Sequence, residues 1–149
     1  MPAEDRFVEF LKNAQKSGKP TLILSDKGMT VPLLERVSSI LSNVVVVDGE
    51  HLSHQEMDEL FFQKLLQEGN LVFLLTTKTP LFVVGALNHL LKENRIKINT
   101  AGGWKTLHLH PKLQIWVIAE EDSLIQFQGF IKKTDFLYRH REKNFVEKK

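Results

Sequence analysis

Short apolar runs alternate along the chain with longer amphipathic segments. Four runs have the length of a buried strand, at residues 21–24, 44–47, 71–75 and 113–119. Because nearly every position in them is apolar, these runs predict strands that are covered on both faces. The segments before and between them carry apolar residues at helical spacing, at residues 7–14, 30–41, 53–66 and 79–91. This order of helices and strands predicts a layered α/β domain with a mostly parallel sheet.

Local signals indicate where these helices begin and end. Ser53 and Glu56 match a capping box, in which each side chain accepts a hydrogen bond from the other residue's backbone N–H. We expect a helix to begin there and to run to Gly69. Thr30 is the candidate cap of the preceding helix, which has Pro32 near its first turn.

A different pattern follows the fourth helix. Apolar and polar residues alternate strictly over residues 95–109, with Ile96 and Ile98 before the pair Gly102-Gly103. Alternation on both sides of a Gly-Gly turn predicts a β-hairpin. The hairpin is therefore expected between the last of these helices and the last long strand.

The charge of the chain is unevenly distributed. Residues 131–149 contain seven of the 20 Lys and Arg residues but only three of the 18 Asp and Glu residues. The rest of the chain therefore has 13 basic and 15 acidic residues and is slightly negative. From Leu124 the sequence predicts helical pieces broken at Gly129. Residues 131–149 are expected to be a basic C-terminal helical extension of a single domain that spans residues 1–149. Such a helix can be a solvated surface, or it can contact an acidic protein, a nucleic acid or a membrane surface.

Composition narrows the classes of function. The chain has 149 residues, of which 42% are hydrophobic, and it has no cysteine. This length supports one core, and the lack of cysteine excludes disulfides, Cys-ligated zinc, iron–sulfur clusters and a thiol nucleophile. No apolar run approaches the ~20 residues of a membrane span, and the acidic start lacks the basic and apolar regions of a signal peptide. We therefore expect a cytoplasmic protein without membrane contact.

Two segments around the predicted hairpin carry a resemblance to a known superfamily. Residues 87–98 read LNHLLKENRIKI, which looks like the pattern L-N-x-L-L-E-x-x-x-h-x-h, where h is hydrophobic. Residues 110–121 read HPKLQIWVIAEE, which looks like H-P-x-F-R followed by four hydrophobic residues. Together with the order of elements over residues 20–140, they resemble the AAA+ branch with a hairpin before the sensor strand, which includes MoxR-type ATPases, midasin, dynein and mysterin. The resemblance implies a three-layer α/β sandwich with a mostly parallel sheet and an inserted hairpin.

The phosphate-binding loop of that superfamily reads G-x-x-x-x-G-K-[ST]. Its glycines let backbone N–H groups wrap the phosphates, its lysine neutralises their charge and its hydroxyl binds magnesium. The corresponding stretch in this chain reads SDKGMT, and Met29 stands in the place of the lysine. The candidate cofactor-binding residues of this degenerate loop are Lys27, Gly28 and Thr30, with Lys27 the candidate to replace the missing charge.

The resemblance also implies an acidic pair at the end of the third strand, which holds magnesium and activates the attacking water. That strand ends here in Thr76-Thr77-Lys78. Two threonines do not supply the negative charge, and hydrolysis without it would lose several orders of magnitude. We therefore predict an inactive ATPase-like domain with no catalytic residues, no cofactor and no metal.

Acidic residues follow the last long strand instead. By resemblance, Glu120 and Glu121 lie near the sensor position, at the edge where open α/β sheets hold ligands. With Asp122 they are candidates for general acid–base chemistry or a metal site, or for a solvated acidic helix N-terminus. His108 and His110 lie on one face of a strand, but no third metal ligand accompanies them.

The basic tail holds the last candidates. Residues 137–143 look like the superfamily's L-L-x-R-F-E-K segment, in which an arginine reaches the nucleotide of a neighbouring subunit, and Arg139 matches that arginine. The alternative is a basic surface helix that contacts a nucleic acid or a protein partner. The cations of that helix are Lys132, Lys133, Arg139, Arg141 and Lys143.

Three functions are consistent with these residues. The first is a noncatalytic AAA+-like interaction or scaffold module that acts through a protein partner or within a larger complex. The second is a nucleic-acid-associated protein that binds through its basic C-terminal helix. The third is a residual nucleotide hydrolase whose unconventional loop depends on Lys27.

Overall fold

The computed structural model of the protein describes residues 3–120, 136–140 and 145–148, with side chains described from residue 6 to residue 120. Its helices are α1 (Ala3–Ser17), α2 (Thr30–Ile40), α3 (His54–Lys64) and α4 (Leu81–Glu93), with a 3₁₀ turn at Gly49–His51. Its strands are β1 (Thr21–Ser25), β2 (Val44–Asp48), β3 (Gly69–Leu75), β4 (Arg95–Thr100), β5 (Gly103–His108), β6 (Leu113–Glu120), β7 (Phe136–His140) and β8 (Phe145–Lys148). No helix in these ranges is long and apolar enough to cross a membrane.

Six strands form one sheet in the order β2-β3-β6-β1-β7-β8. Neighbouring strands from β2 to β7 are parallel, and β8 pairs with β7 in the antiparallel direction. β1 lies between β6 and β7, and all five of its residues are buried. Enclosure on both faces and both edges explains why its sequence is an apolar run without alternation. The predicted α/β fold with a mostly parallel sheet is confirmed.

The helices cover the two faces of the sheet as separate layers. Successive side chains of a strand point to opposite faces. Ile23 therefore packs with Trp116 in the cluster formed with α1 and α2. Leu22 and Leu24 pack in the other cluster, with α3, α4 and the hairpin. The arrangement is a three-layer α/β/α sandwich.

The predicted hairpin is confirmed as a separate antiparallel sheet of β4 and β5. Ile96, Ile98 and Leu107 are buried in the cluster that contains α3 and α4, so one face of the hairpin packs on that layer. Gly103 follows the turn with φ +101, in the left-handed region that favours glycine. The hairpin precedes β6, as the sequence predicts.

The expected C-terminal helix is wrong over the part of the tail that the structure describes. That part consists of the strands β7 and β8. Aromatic and β-branched residues, such as Phe136, Tyr138 and Val146, favour strands. In the sheet, β7 also pairs with the edge of β1 that β6 leaves open, so the buried backbone of β1 is satisfied on both sides. The helical pieces expected from Leu124, with their break at Gly129, lie outside the described residues.

The signals at helix ends are confirmed at α3. The Ser53 Oγ accepts from the Glu56 N–H at 3.1 Å, and the Glu56 Oε1 accepts from the Ser53 N–H at 3.2 Å. α3 ends at Lys64, earlier than expected, because Gly69 already begins β3. Thr30 is the first residue of α2 rather than its cap.

Candidate functional site

The connection from β1 to α2 is a turn of four residues, Asp26 to Met29. The Met29 N–H donates to the Asp26 carbonyl oxygen at 3.1 Å. Gly28 has φ +82, whereas Lys27 is not among the residues with positive φ, which is the pattern of a type II turn with glycine at its third position. A phosphate loop uses a longer segment between strand and helix. The backbone of this turn is therefore too short to surround a phosphate group.

A buried carboxylate from the neighbouring strand is hydrogen-bonded to this turn. β6 lies beside β1 with Glu120 opposite Ser25, so the end of β6 adjoins the start of the turn. Glu120 is only 6% exposed, and its Oε2 accepts a hydrogen bond from the Gly28 N–H at 2.9 Å. A backbone N–H of the kind that binds an anion in a phosphate loop is therefore directed to a carboxylate of the chain itself.

The other residues of the predicted loop lie next to this hydrogen bond. Lys27 is exposed in the turn. Thr30, the first residue of α2, is buried, and Met29 caps the helix without a side-chain hydrogen bond. Lys27, Gly28 and Thr30 thus lie at the start of α2, and Glu120 of the adjacent strand lies beside them.

The end of β3 is closed by hydroxyl groups. The Thr76 Oγ1 donates to the Glu50 Oε2 at 3.0 Å and accepts from the Lys78 N–H at 3.1 Å. The Thr79 Oγ1 accepts from the Thr76 N–H at 2.8 Å, and Thr79 is buried. These threonines therefore satisfy the backbone of their own turn, as Thr side chains commonly do at the ends of strands and helices.

Glu50 is the residue of this region that the sequence analysis missed. It lies in the 3₁₀ turn after β2, and the preceding Gly49 lies very close to the end of β3. A Cβ on Gly49 would be 2.8 Å from the Leu75 Cδ2 and 3.0 Å from the Leu74 carbonyl oxygen. This close approach requires glycine and brings Glu50 to Thr76. The available signal was an acidic residue two positions after the strand β2, at the edge of the sheet where ligands bind.

The turn after β1 does not have the form of a phosphate loop, and the end of β3 lacks the acidic pair that the resemblance implies. The turn is short, Met29 carries no charge, and the Gly28 N–H already has an anionic partner. The residues at the end of β3 carry hydroxyl groups, whereas the resemblance to the superfamily implies carboxylates there. Mg²⁺ depends on carboxylate oxygens in such sites. Among the residues with described side chains, no group of three or more His, Asp or Glu side chains could hold a metal ion.

Two large apolar side chains are exposed in the same region. Val31, in the first turn of α2, is 55% exposed, and Leu81, which begins α4, is 72% exposed. α2 follows β1 and α4 follows β3, so both helices begin at the carboxyl edge of the parallel strands. The edge where open α/β sheets bind ligands therefore presents apolar side chains to the solvent.

The expected position of Arg139 on a C-terminal helix is wrong. It lies in the strand β7, opposite Leu24 of β1 and Val146 of β8, and not on the expected helix. Pairing on both sides makes this segment part of the sheet. Glu121 lies outside the described residues. The same is true of the other candidate cations of the tail, which are Lys132, Lys133, Arg141 and Lys143.

The two histidines considered for metal binding have separate surroundings. The His110 Nδ1 accepts from the Lys112 N–H at 3.0 Å, and the His110 N–H donates to the Leu65 carbonyl oxygen at 2.8 Å. His108 is exposed in β5, opposite Arg95. His110 therefore shapes the turn before β6, and among the described side chains no third ligand joins the two histidines.

The comparisons with known proteins concern the fold. No family model matches the chain, and a search of curated proteins finds no match either. Two crystal structures of NtrX from Brucella abortus, in complex with ADP and with ATP, are similar to it over 93% of its length, with TM-scores of 0.62 and 0.63 and identities of 12% and 13%. The chain spans 35% of the length of each NtrX chain. Because identity is this low, the likeness shows the fold alone, and the chain has a P-loop/AAA-like α/β fold.

Proposed function

We propose that the chain is a noncatalytic AAA+-like module that acts by contact within a larger assembly. The observation that carries this proposal is the hydrogen bond from the Gly28 N–H to the Glu120 carboxylate. In an anion-binding loop the backbone N–H groups stay available to the ligand. In this chain the corresponding donor is engaged by an acidic side chain that is fixed on the adjacent strand.

The charges around the turn also disfavour the binding of a phosphate group. A phosphate at this turn would approach the carboxylates of Glu120 and Asp26, and Lys27 is the one cation of the turn. Two unit charges ~4 Å apart interact by ~1 kcal/mol in bulk water and by ~4 kcal/mol at an effective dielectric constant of ~20. A nucleotide would therefore have to displace Glu120 and also overcome its repulsion.

Hydrolysis would meet a second obstacle at the end of β3. Phosphoryl transfer depends on metal ions and on a group that orients the attacking water. Thr76 and Thr79 are engaged with their own turn and with Glu50. These hydroxyls supply neither the charge that holds magnesium nor a base.

Contact with a protein partner is supported by the apolar residues at the carboxyl edge. Val31 and Leu81 lie in the first turns of α2 and α4, and both are more than half exposed. Complete burial of a Val or Leu side chain contributes about 1.5–3 kcal/mol. A partner that covers this edge would gain the part of that free energy that corresponds to the side-chain area still exposed.

Release of phosphate from ATP in the presence of magnesium tests this proposal. We expect the wild-type chain to show no release that depends on Lys27. Lys27→Ala is compared with Lys12→Ala, because both lysines are exposed and each change removes one positive charge. Turnover that falls in Lys27→Ala but not in Lys12→Ala would contradict the proposal and establish a residual hydrolase.

A further inference from the structure

The outer face of the hairpin carries a row of polar and cationic residues and one aromatic ring. The cross-strand pairs of that face are Arg95–His108, Lys97–Thr106 and Asn99–Trp104. All six residues are exposed, while the alternate residues Ile96, Ile98 and Leu107 are buried against the helices. Because strand side chains alternate between faces, the six lie together on the side turned away from the core.

This face has positive charge without compensating acids. None of the six residues is acidic. Within the described residues, neither Arg95 nor Lys97 has an ion-pair partner. The acidic residues beside this face are Glu93, in the last turn of α4, and Asp58 and Glu59 of α3, which line a separate cleft with Asn99. A surface of this kind attracts anions and loses that attraction as salt is added.

A cleft of about 620 Å³ opens beside the cations of this face. Its lining consists of His89 from α4 together with Arg95, Ile96, Lys97 and Thr106. The guanidinium group of Arg and the ammonium group of Lys are the side-chain groups that bind phosphate most strongly in proteins. The lining has no carboxylate, so the cleft has the chemistry of a phosphate-binding recess.

Trp104 adds a flat apolar surface to the same face. It is 72% exposed, whereas the other tryptophan, Trp116, is fully buried and donates to Asn70 at 2.9 Å. Packing therefore accounts for Trp116 and leaves Trp104 without a structural role in the core. Exposed aromatic rings beside cations are the surfaces on which unpaired bases stack.

We propose that the outer face of the hairpin binds a single-stranded nucleic acid, with phosphates at Arg95 and Lys97 and an unpaired base on Trp104. A single strand fits better than a duplex, because stacking on a side chain requires a base that is free of its own helix. This surface lies on the hairpin and is distinct from both the carboxyl edge of the sheet and the basic C-terminal segment. It does not depend on whether the chain binds nucleotide.

Fluorescence anisotropy of labelled single strands of about 20 nucleotides, titrated at several salt concentrations, tests the phosphate contacts. We expect binding of both DNA and RNA strands, because phosphates and base faces are common to them. The double variant Arg95→Ala/Lys97→Ala should lower the slope of log affinity against log salt by about 1.4, since each contact to a single strand contributes about 0.7. The matched control is Lys12→Ala/Lys16→Ala, which removes the same charge from exposed positions on α1.

The stacking contact has its own readout. Trp104→Ala should weaken binding by roughly 5- to 150-fold, the effect of losing one stacked base. The fluorescence of Trp104 should be quenched on binding, while that of the buried Trp116 stays constant. The variant Trp104→Phe retains only the Trp116 signal, so comparison with it separates the two contributions. Every substituted residue is exposed, so thermal unfolding of the variants should match that of the wild type.

Several results would overturn the proposal. They are absence of binding at about 20 mM salt, an equal loss of affinity in the hairpin variant and the α1 control, and equally tight binding of a duplex. Equally tight binding of polyglutamate would show that the face is a general anion-binding surface. Loss of binding in Lys132→Ala/Lys133→Ala with no effect of the hairpin variants would assign nucleic-acid binding to the C-terminal segment instead.

Discussion

Glu120 and Gly28 lie 92 residues apart in the sequence and share a hydrogen bond of 2.9 Å. A buried carboxylate is costly unless its oxygens are hydrogen-bonded. The turn supplies a backbone N–H, and the N-terminus of α2, which follows directly, adds the favourable end of a helix dipole. One contact thus stabilises the turn and occupies the donor that an anion would need.

Substitution of Glu120 should therefore lower the free energy of unfolding. We expect Glu120→Ala to lose about 1–2 kcal/mol, because a hydrogen bond to a charged acceptor is removed and water can partly replace it at the exposed Gly28. Glu120→Gln should lose less, since its amide oxygen can still accept. Urea denaturation measures both, with Glu35→Ala on the exposed side of α2 as the control. Equal stability of Glu120→Ala and Glu35→Ala would contradict the structural role of this contact.

The individual residues of the site differ in how far the sequence could predict them. The missing lysine at Met29 and the missing acids at Thr76 and Thr77 follow directly from comparison with a motif. The partner of Glu120 does not, because the contact with Gly28 exists only once β6 is placed beside β1. Glu50 was missed for the same reason, since Gly49 brings it to Thr76 across two strands.

The elements of the first 120 residues follow their patterns closely. Three of the four continuous apolar runs become central strands, and alternation around Gly102-Gly103 becomes a hairpin. The run at residues 44–47 instead becomes the edge strand β2, in which Val46 is exposed, because an apolar run does not show which strand lies at the edge of a sheet. The C-terminal segment is different. Phe136-Leu137-Tyr138 is short, and its neighbours are basic, so pattern alone does not separate a strand from a surface helix. Pairing with β1 decides the outcome.

Removal of β7 should destabilise the whole sheet. β1 has β7 as its neighbour along all five of its residues, so a chain ending at residue 135 exposes a buried strand edge. With about 1 kcal/mol for each lost hydrogen bond, the loss approaches the 5–15 kcal/mol that stabilises a typical domain. Thermal unfolding should show an aggregated or unfolded chain. A chain ending at residue 144, which lacks only β8 among the described strands, should remain folded. Unchanged unfolding of the shorter chain would contradict the assignment of β7.

For the whole molecule, the two surfaces lie on different parts of one scaffold. The carboxyl edge of the sheet holds the Glu120–Gly28 contact and the exposed Val31 and Leu81. The hairpin carries its cations and Trp104 on a face turned away from the core. The chain has a P-loop/AAA-like α/β fold, and we propose that it uses these two surfaces for contact.

Isothermal titration of the wild-type chain with ATP and magnesium measures directly whether the turn after β1 accepts a nucleotide. We expect heats no larger than those of dilution, with or without magnesium, because Glu120 occupies the Gly28 N–H and the end of β3 has no carboxylate. A working site would give a saturable isotherm. In a separate thermal-unfolding measurement, ligand at about 100 times its Kd would also stabilise the protein by about 2.7 kcal/mol. Saturable binding that requires magnesium and is lost in Lys27→Ala would show that the turn is a working nucleotide site.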